Sequence, residues 1–217
     1  MKNDKYKGLL NTLKGLEDVL LQMAIHRGYN ELERCVIILE DDPPAFFEAL
    51  QPLMQYIRKH RLPQPLIITR RFVENSLDAY PLEFLDMQTQ YRNLLENTDI
   101  LAGLQFEKAD LRLQMERELR SKWLLTRQAG LTNPFRLKLL KSIIGESRTS
   151  LYPVLKGFFA LSQQGVPHTL AEAIQKGESI CGCELSLFST PITGINDFSR
   201  YVEMLDQLII KVQGWQI

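Results

Sequence analysis

The sequence predicts a chain in two parts, of α+β or α/β class: a small mixed sheet with helices over residues 1–100, then an all-α helical bundle over 101–217. Three observations carry this reading. Two short apolar runs rich in β-branched residues, Cys35–Leu39 and Pro65–Thr69, alternate with stretches of helical spacing. From Glu107 onward such runs stop and apolar residues recur every three or four positions. The 217 residues allow one large domain or two small ones, each able to bury a core. The boundary falls near 88–106.

Residues 6–24 set Leu9, Leu10, Leu13, Leu16, Val19, Leu20 and Met23 three or four apart, which predicts an amphipathic helix. Gly28-Tyr29-Asn30 breaks it. Cys35–Leu39 follows as a buried strand, ended by Glu40-Asp41-Asp42-Pro43-Pro44, whose acidic residues read as the solvated cap of the next helix. Phe46, Phe47, Leu50, Leu53, Met54 and Ile57 predict that helix over 45–60, and Pro65–Thr69 is the second strand. A short helix over Arg70–Leu77 and a third strand over Tyr80–Leu85 complete the sheet half.

In the second half, Leu111, Met115, Leu119 and Trp123 line a helix over Asp110–Gln128, with Gly130 as its stop. Asn133-Pro134 has the form of an N-cap and first helical residue, opening a helix that ends at Gly145. Ser150–Gln164 is the next helix, and Thr169-Leu170-Ala171-Glu172 is a capping box. The last helix spans Asp197–Gln213. Short polar connections imply antiparallel neighbours.

Composition bounds function by exclusion. With 45% hydrophobic and 24% charged residues, the chain is not disordered, collagen-like or coiled-coil in bias. No apolar run reaches the roughly 18–20 residues of a membrane span. The start, Met1 to Lys5, leads into amphipathic spacing, not a signal peptide, so the expectation is a soluble cytoplasmic protein. Cys181-Gly182-Cys183 has no second pair or nearby histidine to complete a metal set. With Cys35, these read as reduced thiols, and no metal is expected.

Charge is uneven beneath a net of zero. Residues 1–106 hold 12 basic and 15 acidic side chains, whereas 107–217 hold 14 and 11. The stretch from Arg112 to Lys156 has 10 basic groups against 3 acidic ones. That is a candidate footprint for nucleic-acid phosphates. However, Arg112, Glu116 and Arg120, like Glu118 and Lys122, have the i,i+4 spacing of a solvated helix face.

Two blocks, Ser76-Leu77-Asp78-Ala79-Tyr80-Pro81-Leu82-Glu83-Phe84-Leu85-Asp86-Met87 and Asp110-Leu111-Arg112-Leu113-Gln114-Met115-Glu116-Arg117-Glu118-Leu119-Arg120-Ser121-Lys122, resemble bacterial nucleotidyltransferase-like proteins of the DNA polymerase beta-like superfamily. That group joins a minimal nucleotidyltransferase domain to a C-terminal helical bundle. The resemblance implies a Gly-Ser turn at a helix start for the nucleotide phosphate, and two carboxylates one residue apart for Mg²⁺. A third carboxylate on a neighbouring strand completes the metal site or acts as base, and the ions activate the attacking hydroxyl.

At the catalytic turn this sequence departs from that pattern. Ala24-Ile25-His26-Arg27-Gly28 aligns there, with Met23 and Ala24 in place of Gly-Ser, so only Arg27 and Gly28 remain as nucleotide-binding candidates. Glu31 and Glu33 have the i,i+2 spacing but stand at the strand mouth, and Glu83 or Asp86 supplies the third carboxylate. The expectation is an inactive nucleotidyltransferase-like protein with a binding or regulatory role, its partner a protein or a nucleotide. Two alternatives stand beside it. One is an active Mg²⁺- and nucleoside-triphosphate-dependent enzyme using Glu31, Glu33 and Glu83 or Asp86. The other is a nucleic-acid-associated protein using the basic stretch. Apolar helix faces around Phe158, Phe159 and Trp215 suggest a homodimer.

Overall fold

The computed structural model describes residues 3–29, 32–133 and 136–216. It is a mixed α+β structure that divides into two compact units. One comprises the chain up to Leu77 together with Gln90–Gln105; the other comprises Asp78–Thr89 and the chain from Phe106 onward.

The first unit holds a four-stranded mixed sheet. Helix α1 (Asn3–Leu10) runs into a 3-10 turn (Asn11–Leu16), then strands β1 (Leu20–Arg27) and β2 (Glu33–Leu39) form an antiparallel hairpin. Short helices α2 (Phe46–Ala49) and α3 (Gln51–His60) lead to β3 (Leu66–Thr69), which pairs parallel with β2. Helix α4 (Arg70–Glu74) follows, N-capped by Thr69 Oγ1, which accepts from Phe72 N–H. After an excursion into the second unit the chain returns as β4 (Tyr91–Glu96), antiparallel to β1, giving the order β3-β2-β1-β4. Leu9, Leu13 and Leu16 pack with Met23, Ile25, Ile37 and Leu39 of the sheet and Leu53 and Ile57 of α3.

The amphipathic helix expected over 6–24 is therefore only partly helical. Helical spacing holds through Leu16, but 20–27 is the strand next to the middle of the sheet, with ladders on both edges. Its apolar residues are buried on both faces, and that pattern overlaps helical spacing when read along the chain. Tyr91–Glu96, which sequence reasoning does not find, is polar and lacks a strand signature. Its partner Gln22–His26 lies about 70 residues earlier.

The second unit consists of α5 (Pro81–Thr89), α6 (Lys108–Thr132), α7 (Leu137–Leu161), α8 (Leu170–Cys181) and α9 (Ile195–Gln213). Residues Tyr80–Leu85, expected as a strand, instead enter α5, with Pro81 as its first residue and Leu82, Phe84, Leu85 and Met87 all buried. Segment 78–89, placed by sequence with the sheet half, thus belongs with the helices.

The two helices expected on either side of Gly145 are one, α7, which passes through Gly145 and Pro153. The buried residues Leu140, Ile144, Ser147, Leu151, Val154 and Phe158 form an unbroken stripe, and its burial outweighs both breaker signals. Gly130 lies inside α6. A Cβ there would stand 2.3 Å from Phe198 Cε1, so this glycine lets α9 approach. Asn133 closes α6, its N–H bonded to Ala129 O, and does not cap α7; Pro134 lies outside the described residues. The Thr169 cap forms as expected, accepting from Glu172 N–H at 3.2 Å, while Glu172 Oε2 accepts from His168 N–H. Phe158 and Phe159, expected at a dimer face, are interior to this unit.

Candidate functional site

Met23 and Ala24, which the resemblance sets against a Gly-Ser turn, occupy the wrong kind of element for phosphate binding. Met23 and Ala24 are fully buried in β1, flanked by β2 and β4, so their amides serve the ladders. Arg27 ends β1 opposite Glu33, the first residue of β2. Gly28 N–H donates to Leu32 O at 3.1 Å within the hairpin connection. A phosphate-binding turn needs a helix start to aim free N–H groups at the ligand, whereas this turn joins two strands.

The carboxylates are divided between the units. Glu33 belongs to the sheet unit, where its charge pushes up the pKa of the Tyr6 phenol, secondary to burial. Glu83 and Asp86 belong to the helical unit. Glu31 lies outside the described residues. Among the described residues, no three His, Cys, Asp or Glu side chains gather in a group able to hold a metal ion.

Asp86 and Glu83 are engaged by neighbouring helices. Lys156 Nζ of α7 donates to Asp86 Oδ1 at 2.6 Å, with side chains 1% and 7% exposed, and the ammonium lies 4.8 Å from the Tyr152 ring centre. Gln114 of α6 binds the first turn of α5 with both ends of its amide. Its Oε1 accepts from Leu82 N–H at 2.8 Å, and its Nε2 donates to Glu83 Oε2 at 2.7 Å. Nearby, Gly157 sits where a Cβ would meet Met115 Sδ at 2.6 Å and Leu82 Cδ2 at 3.1 Å. The two sequence blocks that carry the resemblance therefore meet, and they meet by packing α5 onto α6 and α7. These residues do not fit a Mg²⁺–triphosphate site: Asp86 already has a buried cation, and Glu83 already binds an amide.

Sequence reasoning misses Gln114 and Lys156. By sequence Lys156 counts with the basic stretch, but a lone charge inside Val154-Leu155-Lys156-Gly157-Phe158-Phe159 is a signal for a buried pair. Four more of the ten basic groups are also used internally. Arg112 and Arg120 pair with Glu116 at 3.1 and 2.9 Å, which helps hold that carboxyl below its ordinary range. Arg127 stacks on Trp123, and Arg148 donates to Thr190 O at 2.6 Å. Of the acidic cluster, Glu40 pairs with Arg70 at 3.0 Å on the surface.

A second polar cluster, in the sheet unit, centres on Asp99. Its carboxylate accepts from Tyr91 Oη at 2.8 and 2.9 Å, Gln22 Nε2 at 2.7 Å, Asn93 Nδ2 at 3.1 Å and Ala102 N–H at 3.1 Å. Burial pushes its pKa up, and the hydrogen bonds from Tyr91, the Ala102 amide, Gln22 and Asn93 more than offset this, holding it below 3.8. Tyr91 is pushed up to about 12 by burial, by its bond to Asp99 and by the charges of Asp99 and Glu96. Gln22 Oε1 also accepts from the amides of Ile100 and Leu101. With both oxygens occupied, the cluster anchors the chain after β4.

Cys35 and Cys181 are buried and Cys183 is half-buried. Burial pushes Cys35 up to about 12, burial and the Glu178 charge push Cys183 up to about 11, and Cys181 is also raised, mainly by burial. No helix among the described residues is long and apolar enough to cross a membrane.

No known protein family, characterised protein or solved structure matches the chain at significant similarity.

Proposed function

We propose that the chain is a nucleotidyltransferase-like protein that does not carry out metal-dependent nucleotide transfer and acts by binding. The observation that carries this reading is the buried Lys156–Asp86 pair, which commits a carboxylate of the third-metal-ligand position to helix packing. It is supported by the place of Met23 and Ala24 inside β1, where no phosphate can reach their amides. The resemblance itself rests on the two sequence blocks. Free thiols at Cys35, Cys181 and Cys183 support a reducing, cytoplasmic setting.

A thermal-shift panel of ATP, GTP, CTP and UTP, each with and without Mg²⁺, tests the proposal. A specific ligand at 100 times its dissociation constant would add about 2.7 kcal/mol of stability. The expected result is no Mg²⁺-dependent shift and no pyrophosphate release. A shift with one nucleotide and Mg²⁺ accompanied by pyrophosphate release, both abolished by Glu33→Gln and Glu83→Gln, would establish the enzyme reading instead.

A further inference from the structure

Helices α6 and α9 lie antiparallel. Gly130 near the end of α6 meets Phe198 near the start of α9, whereas Arg112 near the start of α6 donates to Val212 O near the end of α9. On the outer side of this pair, between Arg127, Gly130 and Leu131 on one side and Ile195, Val202 and Glu203 on the other, lies an apolar groove of about 450 Å³. Gly130 leaves room for it, and the buried Phe198 ring forms its floor.

The rim is as apolar as the groove. Leu131 is 75% exposed and Ile195 41%. Leu124, half exposed, lies at i and Arg127 and Leu131 at i+3 and i+7, so α6 presents all three on one face. On α9, Ile195, Ser199 and Val202 recur at i, i+4 and i+7. The flanking charges are opposite: Arg127 stands on the α6 side and Glu203 on the α9 side. Among the described residues neither Glu203 nor Arg127 has an ion pair, and Arg127 lies 5.0 Å from the Trp123 ring centre.

We propose that this face binds a second copy of the same chain, as an isologous dimer with its two-fold axis along the α6–α9 seam. Such an axis lays α6 of one copy over α9 of the other. Arg127 then meets Glu203 of the second copy, and Leu131 meets Ile195 of the second copy, each contact occurring twice. Because α6 and α9 are antiparallel, the four helices alternate in direction, the arrangement of an up-down bundle. The same patch supplies knob, hole and both charges, and this self-complementarity selects a second copy as the occupant. A second copy gives the binding role proposed above its partner, and in that sense rests on it. Dimerisation nevertheless stands or falls apart from the loss of catalysis, because one is read by mass and the other by nucleotide turnover.

The test is sedimentation equilibrium of the whole chain over a dilution series. The expected result is a concentration-dependent mass reaching twice 25.1 kDa. Leu131→Glu should raise the dissociation constant by about tenfold or more, because it sets a charge against the apolar Ile195 of the second copy. Its exposed position, and a melting curve that matches the parent's at a dilution where both are monomeric, would show that folding is intact. Arg127→Glu and Glu203→Arg should each weaken the dimer, and the variant carrying both should recover it. A chain monomeric up to the order of 100 µM, where even weak dimers populate, overturns the proposal. So does a dimer indifferent to Leu131→Glu and to both charge reversals.

Discussion

Lys156 of α7 and Asp86 of α5 form a 2.6 Å ion pair with both side chains withdrawn from solvent, joining positions 70 residues apart. Desolvating two charges costs several kcal/mol, so the pair is held by its geometry and by the Tyr152 ring beside the ammonium. Removing one partner strands the other charge. Lys156→Met or Asp86→Ala should each cost about 3–5 kcal/mol, whereas the double change Asp86→Leu with Lys156→Met should be far milder. Urea unfolding of the three variants measures the difference. Equal losses in single and double variants would show that the charges are not coupled.

The glycines of the bundle separate space from helix propensity. Gly145 has nothing within 4 Å of an added Cβ, so Gly145→Ala should stabilise by up to about 1 kcal/mol through propensity alone. Gly157 and Gly130 face Met115 and Phe198 at 2.6 and 2.3 Å, so alanine at either should destabilise by about 1–3 kcal/mol. Thermal melts of the three variants should therefore move in opposite directions.

Asp99 makes stability depend on pH. Its folded-state pKa lies below the unfolded value of 3.8, so its contribution is full above that value and is lost as pH falls through the folded one. The stability difference between the parent chain and Asp99→Asn should be flat from neutral pH to about 5 and shrink in more acid solution. Urea midpoints along a pH series test this. In the same variant the Tyr91 phenol, followed by ultraviolet titration, should titrate below about 12 because one of its causes is gone.

Burial of the thiols predicts slow chemistry. In the native chain near neutral pH, Cys35 and Cys181 should react with Ellman's reagent far more slowly than free cysteine, and all three cysteines should react promptly in denaturant. Rapid reaction of Cys35 without denaturant would show that the sheet opens locally.

Gln114 offers a measure of helix capping. It satisfies the Leu82 amide and holds Glu83, so Gln114→Ala should cost about 1 kcal/mol, with the loss centred on α5. Hydrogen exchange of residues 81–89 should report that loss. Unchanged protection there would show that packing alone holds the helix.

Elements whose order comes from local spacing are legible in the chain. Strands β2 and β3 announce themselves as β-branched runs, and α3, α6 and α9 as helical stripes, with α8 marked by its Thr169 cap. Errors come where distant pairing decides the outcome. Leu20–Arg27 becomes a strand through ladders to Glu33–Leu39 and to Tyr91–Glu96, and the second partner is too polar to be recognised alone. Pro81–Thr89 becomes a helix because Gln114 and Lys156 receive it, neither of which is near in sequence.

The candidate site shows the same division. Sequence alone determined that the chain would combine a β-branched sheet half with a helical half, because residue type and spacing are local quantities. Only the tertiary structure decided the fate of the carboxylates. A charge can ligate a metal or neutralise a neighbour according to what lies within about 4 Å of it, and those neighbours are chosen by packing. For Asp86 packing chose Lys156, and for Glu83 it chose Gln114.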